Sequence, residues 1–236
     1  MSEKTGFNGF SSESLSFLEA LRKNNNREWF KRNRKDYEVY ILEPAKIFAG
    51  TLGERLKKYL PDLRAVPRVN GSIFRINRDT RFSQDKSPYK EHLGIFLWEG
   101  NRPKMECPGF YFQLAPSGVL LGGGIYVLSR QDLDKYRKAV VSPEFGPELK
   151  KAVDDIKRIP GYTLGGAHYK RIPAGYASEH PNAGLLLYSG LYAGIEEKIP
   201  EELFSEKILD YCVEKYKPMF SLHQWLVSIG IGEYSL

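Results

Sequence analysis

Residues 75–90 concentrate cationic side chains within one short stretch of the chain. The cations are Arg75, Arg78, Arg81, Lys86 and Lys90, and the only acids among them are Asp79 and Asp85. Arginine presents its N–H donors in a planar fork that matches a carboxylate or a phosphate, and lysine adds a compact positive charge. The pattern predicts an anion-binding site for a small ligand that bears a phosphate or a carboxylate.

Polar neighbours complete the predicted site. Ser83, Ser87 and the backbone amides near Pro88 add donors, and Tyr89 offers a hydroxyl or a stacking face. The predicted ligand-binding residues are Arg75, Arg78, Arg81, Lys86, Tyr89 and Lys90.

A structural interpretation of the same segment has equal weight. Asp79 and Asp85 can pair with the arginines and stiffen a long polar loop, whose hydrogen-bonding groups must be satisfied in any case. The two interpretations are compatible, because Asp79 can orient an arginine that also meets a ligand.

A glycine triplet, Gly122-Gly123-Gly124, lies within a predicted strand. Glycine inside a strand marks a bulge or a close approach, so the triplet is either a floor under a ligand or a place where a helix packs tightly; packing is favoured. It is no P-loop, because no Lys-Ser or Lys-Thr follows.

Tyr111 and Gln113 share one strand face and, opposite Arg75, would line a polar pocket.

Motifs for metal binding and catalysis are missing from the sequence. The histidines are His92, His168, His180 and His223, and they form no HExxH or similar ligand pair, so no metal site is predicted. No serine or cysteine has the context of an activated nucleophile. We assign no catalytic residue and no cofactor, and the sequence leaves open whether the protein is an enzyme.

The charge balance leaves several partners open. Among 236 residues, 35 Lys and Arg face 29 Asp and Glu, for a net charge of +6. This excess permits an anionic small molecule and does not demand a polyanion.

The second hypothesis is a nucleic-acid-binding module that stacks bases on Phe82 and Tyr89. The third is a non-catalytic scaffold whose arginines meet their own acids. The sequence does not indicate an oligomeric state.

We expect cytoplasmic residence and no membrane partner. No apolar run is long enough to cross a bilayer, and the first ten residues lack the apolar core of a signal peptide. Cys107 and Cys212 are expected to stay reduced.

The element order predicts an α+β fold with a mainly antiparallel sheet covered by helices. Helical spacing dominates the first third, strand alternation the centre, and helical spacing the tail. Predicted strands cover residues 72–77, 92–98, 109–115, 119–127 and 191–199, with a hairpin at Pro116-Ser117-Gly118. We predict one domain over residues 10–230, with tails at 1–9 and 231–236.

Several segments resemble the bacterial and fungal domain-of-unknown-function family 2461. The similarity is carried by RDTRFSQDKSPYK, PGFYFQL at residues 108–114, LGGGIY at residues 121–126 and SEHPNAGLLLYSGLYA at residues 178–193. These marks span the chain from about residue 10 to about residue 229. The resemblance implies no reaction and transfers no catalytic residue.

Overall fold

The computed structural model describes residues 6–234, and a five-stranded antiparallel sheet lies at its centre. The strand order is β1-β2-β3-β5-β4. The strands are β1 (Leu93–Trp98), β2 (Gly109–Ala115), β3 (Gly118–Ile125), β4 (Tyr162–Ala167) and β5 (Tyr188–Glu197). This architecture confirms the prediction of an α+β fold with an antiparallel sheet. Short turns between sequential strands favour antiparallel pairing.

A tight hairpin joins β2 to β3, as predicted. Ala115 pairs with Gly118, so Pro116 and Ser117 form the turn. The connection from β1 to β2 is longer and contains a 3₁₀ helix, Lys104–Glu106. Strand β5 returns to pair with β3 on one side and with β4 on the other.

Helices precede, interrupt and follow the strands. They are α1 (Ser12–Lys23), α2 (Arg27–Arg32), α3 (Arg34–Asp36), the π-helix Tyr37–Leu42, α4 (Glu43–Lys57), α5 (Arg130–Val140), α6 (Gly146–Lys157), α7 (Lys207–Tyr216) and α8 (Phe220–Ser228). Side-chain caps start two of them: Asn26 accepts from the Trp29 amide at 2.9 Å, and Ser129 accepts from the Asp132 amide at 3.1 Å. Such caps satisfy amides that the first helical turn leaves without a partner.

One face of the sheet is closed by helices. Helix α4 packs on β1, α6 on β4, and α7 and α8 on β3. Alternate residues of the strands are buried there, and the rings of Phe48 and Phe112 lie 4.7 Å apart in an aromatic cluster with Phe10. Burial of these large rings stabilises the packing of this face, because each removes a large apolar area from water.

The packed core reaches slightly beyond the predicted boundaries of residues 10–230. Phe7 is buried against Phe10 and Phe48, and Ile231 is buried as well. The outer parts of the two predicted tails, residues 1–5 and 235–236, lie outside the described residues.

Residues 72–77 form no regular strand, and this prediction was wrong. The segment runs beside β1 through scattered backbone bonds, such as the Phe74 amide to the Gly94 carbonyl at 3.0 Å. Ile73 and Ile76 are buried three positions apart, whereas Phe74 is only half-buried. That spacing breaks the period-two alternation that a strand requires.

None of the helices in residues 6–234 is long and apolar enough to cross a bilayer.

Candidate functional site

The predicted basic segment folds as an irregular hairpin beside β1. Backbone bonds from the Arg78 amide to the Pro88 carbonyl (2.9 Å) and from the Lys90 amide to the Ile76 carbonyl (2.8 Å) close its base. Residues 79–87 form its outer loop. The structure therefore separates the predicted cations into a loop group and a group at the base.

The arginines of the loop pair with the loop's own acids. Arg81 donates to both carboxylate oxygens of Asp79, at 2.9 and 2.6 Å, and Arg78 pairs with Asp85. The hydrogen bond from Arg81 lowers the pKa of Asp79 to about 2. Ser87 and then Arg78 hold the pKa of Asp85 below its ordinary value.

These loop pairs face solvent. The Arg81 side chain is 77% exposed. Lys86 projects from the same loop and donates to the Thr80 carbonyl at 3.0 Å. The loop's charges are thus compensated locally, which is the arrangement that the structural interpretation expects. Exposed pairs of this kind stabilise a fold very little.

Tyr89 lies in the core and not at a surface site. Its ring stacks on Phe30 with centroids 4.2 Å apart, and only 7% of the residue is exposed. Asn25 accepts from the Tyr89 amide and donates to its carbonyl, at 3.1 and 3.0 Å. Tyr89 therefore anchors the base of the hairpin against the N-terminal helices.

Lys90 and Arg75, at the base of the hairpin, differ from the loop cations. Neither takes part in a salt bridge of the described residues. The Lys90 ammonium lies 5.1 Å from the centre of the Phe74 ring, and Lys104 reaches the same ring at 4.3 Å. The sequence had not singled out Lys104; it arrives from the 3₁₀ helix after β1, where its ammonium donates to the Gly71 carbonyl.

The electrostatics of these two lysines reflect burial without a carboxylate partner. Burial lowers the pKa of Lys90, and the charge of Arg75 lowers it further. Burial also lowers the pKa of Lys104, with a second contribution from Lys90. Like charges held together in a partly desolvated place favour an anion between them. We call Arg75, Lys90 and Lys104 the cationic end.

Lys90 is the member of the cationic end that lines a cavity on the face of the sheet that the helices leave uncovered. The cavity has a volume of about 600 Å³, which is within the range of small-molecule sites. Its aromatic walls are Phe74, Phe96, Tyr111, Tyr126 and Tyr192. Thr163 and Glu196 lie toward the other edge of the sheet, so one cavity reaches from a basic to an acidic end.

The register of the sheet explains the shape of this cavity. One row across the strands contains Phe96, Tyr111, Gly122, Gly194 and Thr163. Because side chains on one face alternate with those on the other, the two paired glycines leave a gap between aromatic walls. Neighbouring strands lie about 4.8 Å apart, so the gap is wide enough for a flat group.

Side-chain packing does not require glycine at position 122 or 194, although an added Cβ would lie close to one backbone carbonyl. A Cβ at Gly122 would approach the Ala193 carbonyl at 3.3 Å, and one at Gly194 would approach the Leu121 carbonyl at 3.3 Å. No side chain lies closer to either position, so a methyl group there would project into the cavity. Glycine inside a strand costs roughly 0.5–1 kcal/mol relative to alanine. Keeping the cavity floor free of side chains would explain why glycine occupies these positions despite that cost.

The other two glycines of the triplet have structural roles. A Cβ at Gly123 would meet Met219 Sδ at 2.9 Å on the helix-covered face, so the packing interpretation holds there. Gly124 has a φ of +127°, a conformation that side-chain-bearing residues rarely adopt. The two interpretations of the triplet therefore apply to different members of it.

Hydroxyl groups line the middle of the cavity. Tyr111 donates to Gln113 Oε1 at 3.0 Å, and burial raises the pKa of Tyr111 to about 12. Its hydroxyl therefore stays protonated at neutral pH, and since its proton is donated to Gln113, its oxygen is free to accept from a ligand. Tyr126 and Tyr192 lie side by side with ring centroids 5.4 Å apart.

A buried histidine–glutamate hydrogen bond and a buried ion pair lie away from the floor. His223 Nε2 is 2.8 Å from Glu99, beside the core ring of Phe110, and Arg102 joins buried Asp132 at 2.6 Å. No three or more His, Cys, Asp or Glu side chains among residues 6–234 are grouped so as to hold a metal ion.

Sequence reasoning found Lys90, Arg75, Tyr111 and the glycine triplet but missed the β5 half of the floor. The signal was present in the alternation of Gly190, Tyr192 and Gly194 with Leu191 and Ala193. Small and aromatic residues at every second position indicate a strand face that is open and flat.

The model of the family described as "Conserved hypothetical protein (DUF2461)" matches residues 13–225. The chain belongs to this family. The resemblance drawn from its sequence segments is confirmed. A search of curated proteins finds no match. Family membership covers the sheet, the basic hairpin and the cavity, and it names no reaction.

Proposed function

We propose that this protein binds a small, flat and largely apolar ligand bearing a carboxylate or a phosphate, in the cavity on the open face of the sheet. The decisive observation is that the open glycine floor lies in the same cavity as Lys90, a partly buried lysine that no carboxylate neutralises. Elsewhere in the molecule, a strand glycine such as Gly123 is explained by packing, and a cation such as Arg81 is explained by an ion pair. Their meeting in one cavity of about 600 Å³ favours a ligand.

The two parts of the cavity would bind different parts of the ligand. The aromatic walls and glycine floor suit a planar apolar body, because ring faces contact it without clashing side chains. Lys90 suits the anionic group, because a charge-assisted hydrogen bond in a partly dry place is stronger than one in water. Lys104 and Arg75 add positive charge close to it. This proposal moves the predicted anion site from the loop to the base of the hairpin.

Anilinonaphthalene sulfonate tests the proposal, with its sulfonate standing for the carboxylate or phosphate. We expect saturable fluorescence enhancement with the wild-type protein. The uncharged analogue phenylnaphthylamine should bind more weakly. Both Gly122→Val and Lys90→Met should weaken sulfonate binding roughly tenfold or more, which corresponds to about 1.4 kcal/mol.

Two controls make the result specific. Arg81→Ala alters the exposed loop and should leave binding unchanged. Thermal melts of every variant separate a lost site from a loosened core, since loosely packed proteins also bind such dyes. Equal binding by wild type, Gly122→Val and Lys90→Met would remove the cavity from consideration.

Nucleic-acid binding has one observation in its favour. Phe82 is 95% exposed at the outer loop, beside Arg81 and near Lys86. An exposed ring between cations can stack on an unpaired base. Fluorescence anisotropy with single- and double-stranded oligonucleotides tests it, and binding should fall steeply as salt rises. The absence of binding at low ionic strength would eliminate this candidate.

A further inference from the structure

We propose that Lys90 is a nucleophilic amine that forms an imine with the carbonyl carbon of an anionic aldehyde or ketone in this cavity. The inference rests on the proposed function and deepens it, since it names a class of ligand and a covalent step. Its basis is the placement of the Lys90 amine within the cavity, beside two other cations and over an aromatic ring.

The surroundings of Lys90 disfavour its charged form. Arg75 reaches it from residues 72–77, and Lys104 shares the Phe74 ring with it. His92 follows two positions later, and burial and the charge of Lys90 lower its pKa. The nearest acid in the chain, Glu91, accepts a hydrogen bond from Asn25 at 3.2 Å.

The lysine pKa values follow this arrangement. Burial and Arg75 lower the pKa of Lys90 from its ordinary value of 10.5. A desolvated lysine next to another cation is a recognised route to an activated amine. Each unit by which the pKa falls raises the neutral fraction at neutral pH roughly tenfold.

Lys104 has a different role from Lys90. Its ammonium donates to the Gly71 carbonyl, which holds it at the ring, and it does not line the cavity. Lys90 lines the cavity and makes no hydrogen bond through its ammonium among the described residues. Lys90 is therefore the amine that a bound carbonyl can reach. Arg75 and Lys104 place positive charge beside Lys90, which favours the neutral form of its amine over the charged form.

The step is balanced without any further reagent. The neutral Lys90 Nζ attacks the carbonyl carbon and forms a C–N bond, and one amine proton passes to the carbonyl oxygen, which becomes a hydroxyl. The nitrogen then gives up its second proton, the C–O bond breaks, and the hydroxyl leaves with that proton as water. An imine joins the ligand to Lys90, and one water molecule is released. No oxidation or reduction takes place.

Carboxybenzaldehyde is a suitable probe, since it is flat and carries an aldehyde and a carboxylate. The protein is incubated with it, reduced with borohydride and mapped by peptide mass spectrometry. We expect Lys90 to be the main adduct, with a pH–rate profile whose midpoint lies below 10.5. Uncharged benzaldehyde should modify Lys90 at least roughly tenfold more slowly, because it lacks the charge-assisted contact.

Three variants separate the roles of the lysines. Lys90→Arg keeps the charge and should abolish the main adduct. Lys104→Met should move the pH–rate profile of Lys90 upward, because the neighbouring positive charge is lost. Lys86→Arg changes an exposed lysine of the loop and should alter neither the site nor the profile. Thermal melts establish that each variant is folded.

The outcomes distinguish this inference from the proposed function. Binding of anilinonaphthalene sulfonate with no preference for Lys90 in the adduct map would overturn the imine and leave the anion site in place. Failure of both the dye and the aldehyde to recognise the cavity would overturn both. An adduct at Lys90 whose profile is unmoved by Lys104→Met would overturn the activating role of the cationic end.

Discussion

The two faces of the central sheet are built from alternate residues of the same strands, yet they differ in what covers them. On one face, Phe110, Phe112 and Leu121 are buried under helices. On the other face, Gly122 and Gly194 form a floor between aromatic walls. Since the backbone is shared, the contrast comes from the side chains on each face and from the helices that pack on only one of them. It shows that the open face is shaped by small residues that packing does not require.

The largest effect should come from the helix-covered face. Phe112→Ala should lower the free energy of unfolding by about 3–5 kcal/mol, because it leaves a cavity against Phe48 and Phe10. Tyr111→Ala, at the adjacent position on the open face, should cost clearly less, since Tyr111 is only half-buried. Urea denaturation of both variants measures the difference. Equal losses would contradict the distinction between the faces.

Adjacent glycines sharpen the same comparison. Gly123→Ala should lower the free energy of unfolding by about 1–3 kcal/mol, because its methyl group meets Met219 in a filled core. Gly122→Ala should change it by no more than about 1 kcal/mol in either direction, because its methyl group enters the cavity. Thermal and urea unfolding provide the measurement. A Gly122→Ala protein as unstable as Gly123→Ala would mean that the floor is packed.

A smaller effect is expected from the cationic end. The pKa of Lys90 is lower in the folded than in the unfolded chain, so its charge opposes folding below the folded pKa. Lys90→Met should therefore raise the melting temperature slightly at pH 7. The gain should shrink as the pH rises through the folded pKa and should disappear well above 10.5, where wild-type Lys90 is neutral in both states. A melting temperature that falls at pH 7 would indicate an unseen anionic partner of Lys90.

The smallest effect is expected in the loop outside both faces. Arg81→Ala removes an exposed ion pair with Asp79, so the melting temperature at pH 7 should hardly change. In the wild type, the pKa of Asp79 is lower in the folded than in the unfolded chain. Asp79 therefore favours the folded state at pH values above its pKa in the unfolded chain. This contribution disappears as the pH falls through about 2. A strong loss of stability at pH 7 in Arg81→Ala would show that the loop network carries structure.

The sequence by itself determined the fold class and much of the sheet. Alternation placed β1 and β2 within one residue of their observed bounds, and the turn residues at 116–118 identified the β2–β3 hairpin. These features are local, because side-chain periodicity and turn chemistry act over a few residues. The same reasoning failed for residues 72–77, where contacts with β1 override weak alternation.

The site depended on tertiary structure. The sequence pointed to the hairpin, yet only folding decided that Arg78 and Arg81 meet their own acids while Lys90 faces the cavity. It likewise brought Lys104 to Phe74 and set Gly194 beside Gly122. Composition and periodicity fix which residues are polar, small or apolar. Strand register and long-range packing decide which charges find partners and which strand face remains open, because both depend on contacts between residues far apart in the chain.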